Sequence, residues 1–344
     1  MYRSLPDFEQ RIYTPQRIAA IVDTLADDGV APADVLAGSG LDAAALRSTD
    51  ARISYRQVAA VFGNAVRLAP DPTAALRAGT RMHLTAYGMY GYGLLSSPTR
   101  EQMNAFLVKY NSVMGPVASP ISFNRDGHVG VYRYEVLLSH DPRDALFRFA
   151  LEFAFSAHLT MSRDLWGDAF AFESLHMSYP APAHADVYAD FFECPIEFGR
   201  PNNEIVVGAQ WAEGSGSMPD PITHAVVGEM CQSVLSELEE TAGMATTVRR
   251  ALIEQMPWRY PDIESMASKL SMHPRTLRRK LEAEGTTYRD ILADVRRRLA
   301  VEYLRKTRMT TEEIASRLGY SDAANFRHAF ARWTGKSPSE YRVG

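Results

Sequence analysis

The chain is poor in cysteine. It has two, Cys194 and Cys231, far apart and without metal-like spacing. That excludes a disulfide framework and a cysteine-based zinc site, and it fits a reducing cytoplasm. No apolar run approaches the roughly 18 residues of a membrane-crossing helix. The opening residues, MYRSLPDFEQRIYTP, lack the apolar core of a secretory signal. His83, His128, His140, His158, His176 and His184 are scattered with no metal-ligand spacing, so no metal or cofactor is expected. The glycine-rich run GMYGYG has neither a preceding strand nor the Lys-Ser/Thr of a phosphate-binding loop.

What is present is uneven. The chain carries a net charge of −4, with 46% hydrophobic and 23% charged residues, ordinary values for a soluble globular protein. From Gln255 to Gly344 there are 18 Lys/Arg against 11 Asp/Glu, a net of +7. The rest holds 19 against 30, a net of −11. A basic tail on an acidic body points to nucleic acid, although a solvated helical face gives the same imbalance.

The tail repeats itself. MASKLSMHPRTLRRKLEAEG (266–285) aligns with IASRLGYSDAANFRHAFARWTG (314–335). Met266 matches Ile314, Ala267 matches Ala315 and Leu270 matches Leu318. After one inserted residue, Leu277 and Leu281 match Phe326 and Phe330. Apolar positions agree and exposed ones differ, as in two copies of one structural unit. Each copy reads as helix, short turn, second helix. In the later copy Thr310 or Thr311 caps the first helix, Gly319 makes the turn, and Ser321 or Asp322 caps the second. Phe326, Phe330 and Trp333 share an inward face. In the earlier copy Pro261 and Asp262 open the first helix, Ser271 to His273 form the turn, and Pro274 starts the second helix. Between the copies, Tyr288 to Thr307 reads as one long helix with Ile291, Leu292, Val295, Leu299, Tyr303 and Leu304 on one stripe.

A helix-turn-helix lays its second helix in the major groove. Here the exposed side of the first such helix carries Arg275, Thr276, Arg278, Arg279 and Lys280, and that of the second carries Asn325, Arg327, His328 and Arg332. Arginine pairs bidentately with guanine, asparagine with adenine, and a threonine methyl packs on thymine. Two such helices on a rigid connector would sample adjacent major grooves, about 34–36 Å apart.

These residues resemble the AraC/XylS family of bacterial transcription regulators. The glycine after the first helix, the Phe326–Phe330 pair and the closing G-x-S-P-x-x-Y-R are all present, and the resemblance covers Met244 to Arg342. It implies an all-α domain of two helix-turn-helix units joined by a long helix. It also implies an extra helix near Ala245–Gln255 and a terminal turn near Pro338–Tyr341. It implies base contacts by Arg275, Arg278 and Arg279 in the first copy and by Asn325, Arg327 and His328 in the second. The family often has arginine where this chain has His328, and Ala323 and Ala324 offer little reach. The first copy is therefore expected to supply most base discrimination, with Arg278→Ala relaxing sequence preference more than His328→Ala.

The preceding two-thirds reads as an α+β domain. Helices are expected in PQRIAAIVDTLADDG, APADVLAGSGLDAAALRS, SYRQVAAVFGNAVRLAPDP and TREQMNAFLVKYNSVMG. A hairpin about Asp126-Gly127 follows, then a buried helix in DPRDALFRFALEFAFSAHLTMSRDL, then strands in AFAFESLHMSY, IEFGR and NEIVVG. The segment AYGMYGYGLLSSPT resembles the arabinose-binding-like regulatory domain found with ornithine-responsive members of the same family. That implies an effector-sensing or dimerisation module. The expected division is residues 1–213 for sensing and dimerisation, 214–243 for a linker (Glu213–Pro221) and connecting helix, and 244–344 for DNA binding.

Tyr87, Tyr90 and Tyr92 are expected in the core or on a ligand-cavity wall, and Glu152 with His158 as a polar pair in an apolar helix. The reading is a non-enzymatic, cytoplasmic regulator. Its expected partners are promoter DNA, a small-molecule effector, a second copy of the chain and, if it activates, RNA polymerase. The alternatives are an effector-independent repressor and an alkyl-transfer enzyme, which needs Cys194 or Cys231 as a low-pKa nucleophile.

Overall fold

The computed structural model describes residues 11–343 apart from 49, 116, 140, 241–243, 255–259, 307 and 308. His140, and the expected helix ends Gln255 and Thr307, lie outside the described residues. Two hydrophobic cores form, one from Tyr13 to Cys231 and one from Val248 to Phe330. Contacts accordingly divide the chain into one unit of Phe8–Leu238 and another containing Glu239–Gly344.

The first unit begins with α1 (Gln16–Asp27), whose Ile18, Ile21, Val22 and Leu25 recur at helical spacing and are buried. The short α2 (Pro32–Val35) follows. Then comes α3 (Tyr55–Leu68), opened by a capping box in which Ser54 and Gln57 satisfy each other's backbone N–H groups. Next are α4 (Ala74–Thr80), α5 (Gly88–Leu95) and α6 (Arg100–Tyr110). The hairpin forms as expected: β1 (Ala118–Asp126) and β2 (Val129–Val136) pair antiparallel across Gly127, which has φ +60°. The apolar run becomes α7 (Ala145–Trp166), buried along most of its length. It lies close on α4 because Ala74, Ala75, Ala78 and Gly79 are small. A Cβ at Gly79 would sit 2.7 Å from the Phe153 carbonyl oxygen.

The remaining elements are β3 (Ser174–His176), α8 (Ala185–Phe192), β4 (Ile196–Glu197), β5 (Asn203–Gly208) and α9 (Ala209–Ala212). The sheet order is β1-β2-β5-β3-β4, antiparallel except for the β3–β4 pair. Tyr132, Tyr134 and Val136 alternate along β2 and point into the core. The last helix here is α10 (Pro221–Glu240). The expected linker before it is held to the first unit. Thr99 bridges Ser215, and the Gly216, Met218 and Asp220 amides donate to the carbonyls of Pro98, Leu95 and Ser96. The contact boundary falls at 238/239, within the expected connecting segment of residues 214–243.

In the second unit α11 (Met244–Glu254) precedes α12 (Ile263–Lys269) and α13 (Pro274–Ala283). The connector is α14 (Tyr288–Lys306), with Ile291, Val295, Leu299 and Leu304 buried and Leu292 and Tyr303 partly so. Then come α15 (Thr311–Arg317), α16 (Ala323–Thr334) and α17 (Pro338–Val343). Asp262, His273, Thr310 and Asp322 cap α12, α13, α15 and α16, their side chains accepting backbone N–H bonds.

Candidate nucleic-acid interface and sensor cavity

Both copies turn in the same way. In the first, the Met272 amide donates to the Ala267 carbonyl at 2.9 Å, and Ser271 stands at φ +53°. In the second, the Tyr320 amide donates to the Ala315 carbonyl at 2.9 Å, and Gly319 stands at φ +69°. The left-handed residue reverses the chain and lets the next amide satisfy a late helical carbonyl. Glycine adopts that conformation freely, while serine carries a Cβ there at a cost. The second helices start on different caps. The His273 Nδ1 accepts from the Arg275 amide with Pro274 in the first turn, and Asp322 accepts from the Asn325 amide.

Leu277 and Leu281 of α13, and Phe326 and Phe330 of α16, are buried. The other faces are open: Arg275, Arg278, Arg279, Asn325, Arg327 and His328 are exposed and Thr276 is half-buried. Trp333 packs against the same core as expected and is partly buried, because it lies at the end of the inward stripe. Arg275 and Arg279, four apart, project opposite the leucines, whereas the matching positions of α16 hold Ala324 and His328. Arg278 and Arg327 occupy equivalent flanking positions and meet equivalent glutamates on the preceding helix. Arg278 Nη2 is 2.7 Å from Glu264, and Arg327 Nη1 is 3.9 Å from Glu312. The Asn325 amide nitrogen donates to Ser321 and Asp322, so in this conformation it is engaged in its own cap.

Sequence reasoning missed Arg296 of α14. Its guanidinium lies over Tyr260, just before α12, at 5.0 Å, and over Tyr320, in the second turn, at 4.8 Å. It also donates to the Gly319 carbonyl at 3.3 Å. One connector residue thus clamps elements of both copies. The sequence signal was a pair of tyrosines beside matching turns, visible only once the connector's phase is known.

In the first unit Tyr87, Tyr90 and His158 line one cavity with Arg17, Asn111 and Tyr134. Tyr92 does not join them. It is 54% exposed, because two residues along a helix turn it about 200° away from Tyr90. Gly91 and Gly93 of GMYGYG serve packing, as a Cβ at Gly93 would enter the Phe106 ring, while Gly88 stands at φ +53° with open space beside it. Glu152 and His158 are both buried but, six apart on α7, do not meet. Glu152 accepts from the Tyr188 hydroxyl and pairs with Arg148 at 3.3 Å. Burial pushes its carboxyl up to about 7, against the lowering effect of Tyr188 and Arg148. His158 Nδ1 shares a 2.6 Å hydrogen bond with Tyr134, and burial pushes the imidazole down to about 3, so it is neutral. Burial also raises both thiols to about 11, the wrong direction for the activated cysteine of the alkyl-transfer alternative. Among the described residues no cluster of three or more His, Cys, Asp or Glu is placed to hold a metal, and no helix is long and apolar enough to cross a membrane.

Two matched helix-turn-helix units with open second helices define a DNA-binding transcription regulator. Comparison with known proteins agrees. Residues 29–214 match the N-terminal arabinose-binding domain of AraC transcription regulators, and residues 266–343 match a helix-turn-helix domain. The chain belongs to the AraC family of transcription regulators. It is 32% identical to the ornithine utilization regulator of Pseudomonas aeruginosa over 94% of each chain. It is 30% identical to the transcriptional regulator VqsM of the same organism over 78% of this chain and 82% of that one. A crystal structure of the regulator CdpR from Pseudomonas aeruginosa aligns with a TM-score of 0.48 at 24% identity, covering 96% of this chain and 98% of that one.

Proposed function

We propose that the protein reads promoter DNA with α13 and α16 in adjacent major grooves and that a small molecule in the first unit alters this reading. The observation that carries the DNA reading is the pair of equivalent, outward-facing second helices on one core. Arg275, Thr276, Arg278, Arg279, Asn325, Arg327 and His328 are the contact residues. Arg275 and Arg279 sit at the centre of the open face, while Ala324 and His328 occupy the matching places, so α13 supplies most base discrimination. Effector sensing draws support from the match to an arabinose-binding domain, from a relative named for ornithine utilization, and from the tyrosine-lined cavity. An effector acts by binding one conformation better than another. A homodimer is supported by Ile222, Val226, Met230 and Val234, four apart along α10 and all exposed. A regulator that acts on promoter DNA works in the cytoplasm, with RNA polymerase as a further partner if it activates.

The test is binding-site selection followed by salt titration with the full chain. Arg279→Ala and Arg278→Ala should relax base preference more than His328→Ala, and log affinity should fall with log salt by about 0.9 per phosphate contacted. Equal losses for all three, or a flat salt dependence, would refute the reading.

A further inference from the structure

Among the described residues, Arg17 is a cation without a counter-ion. It projects from α1 into the first unit's interior and is only 8% exposed. Its Nη1 donates to the Gly115 carbonyl at 2.8 Å, and its Nε is buried with no partner. Among the described residues, the groups that face it electrostatically are the phenols of Tyr13, Tyr87, Tyr90 and Tyr134. A buried charge is normally paired, because desolvating it alone costs several kcal/mol. The Asn111 side-chain nitrogen lines the same cavity and is a second buried donor without an acceptor. Beyond Leu107, His158 and Met161, which line both spaces, lies a second cavity walled by Trp166, Phe170 and Trp211. Among the described lining residues of the two cavities, Arg17 is the one with a formal charge.

We propose that Arg17, with Asn111, binds the carboxylate of the effector, and that the effector is a monocarboxylic acid whose uncharged apolar body is admitted when the space beside Arg17, about 30 Å³ in this structure, opens past His158 toward Trp166 and Phe170, where the space is now about 10 Å³. This rests on the effector-sensing reading above. Two unsatisfied donors then gain an acceptor, and the guanidinium gains its counter-ion inside a water-poor space, where a charge-assisted bond is strong. The same lining is hostile to a diamine side chain, for which it offers no carboxylate.

The experiment is thermal unfolding and calorimetric titration of the full chain with phenylacetate and octanoate, alongside phenylacetamide, octanamide and ornithine. At least one acid is expected to raise the unfolding temperature in proportion to log concentration, and its amide to bind at least tenfold more weakly. Arg17→Met should keep or raise the temperature of the unliganded protein, since an unpaired buried charge is removed, yet lose the response to acids. Arg17→Lys should recover part of it. A structural role alone would instead lower the unliganded temperature of Arg17→Met. Amides or ornithine binding as well as the acids, or acids still binding Arg17→Met, would overturn the carboxylate assignment and leave effector sensing standing. No response to any of these compounds would overturn both.

Discussion

Replacing Arg296 tests whether the two reading units are held by the connector. The guanidinium touches Tyr260 and Tyr320 at once and donates to the Gly319 carbonyl. Each cation–π contact at a half-exposed ring is worth about 0.5–1 kcal/mol. A long neutral-acceptor hydrogen bond adds about 0.5 kcal/mol, at the low end of the usual range. The buried, unpartnered Nε returns some of this when removed. Arg296→Ala should therefore destabilise the Glu239–Gly344 unit by about 2 kcal/mol. For a unit near 100 residues that is roughly a 10 °C fall in its transition. Calorimetry of the full chain would resolve it from the transition of the first unit. Arg296→Lys should fall nearly as far, because a point ammonium cannot stack flat on two rings. Affinity for DNA bearing both half-sites should drop more than affinity for either alone. An Ala variant melting within about 2 °C of wild type, on the same per-kcal scale, or a Lys variant as stable as the parent, would refute the clamp.

Other expectations follow from geometry already described. Ser271→Gly relieves a left-handed serine and should raise stability by about 0.5–1 kcal/mol, while Gly319→Ala, at φ +69° and 3.3 Å from Arg296 and Tyr260, should lower it by about 1–2 kcal/mol; denaturant melts of the two variants check the opposite signs. Glu152 has its folded pKa raised from 4.5 to about 7, so its contribution is complete below pH 4.5 and is lost as pH rises to 7. The buried neutral His158 acts oppositely, losing stability as pH falls from 6.5 toward 3. Glu152→Gln should therefore flatten the decline of the first unit's melting temperature between pH 4.5 and 7, measured as a difference from wild type. Val226→Glu with Met230→Glu should shift a dimer to monomer in analytical ultracentrifugation while leaving the first unit's melting unchanged.

The tail was legible because its two copies control for each other. An apolar residue kept at Leu277 and Phe326 must be core, and a position free to differ must be surface. The turn was legible in the second copy through Gly319 and less so in the first, where Ser271 takes the same conformation without the residue that advertises it. The cavity of the first unit was only partly legible. Tyr87 and Tyr90 line one cavity, but Tyr92 was grouped with them by proximity in sequence, and helical phase separates them. Arg17 was hidden in an amphipathic helix, where an arginine normally marks the wet side. Only tertiary packing, with Gly115 and Tyr134 arriving from about 100 residues away, turns that side inward. Arg296 was lost among three consecutive arginines, which have identical local character and different phase.

The matched architecture of the tail has an evolutionary consequence. Because the interior of each unit is shared while the outward residues differ, the proposed reading by α13 and α16 means that one half of an operator can be rewritten by substitutions in α13 alone. Such a change leaves α16, the spacing and the rest of the molecule as they were. A lineage could thus drift to new promoters by half-steps, keeping a foothold on the old site throughout.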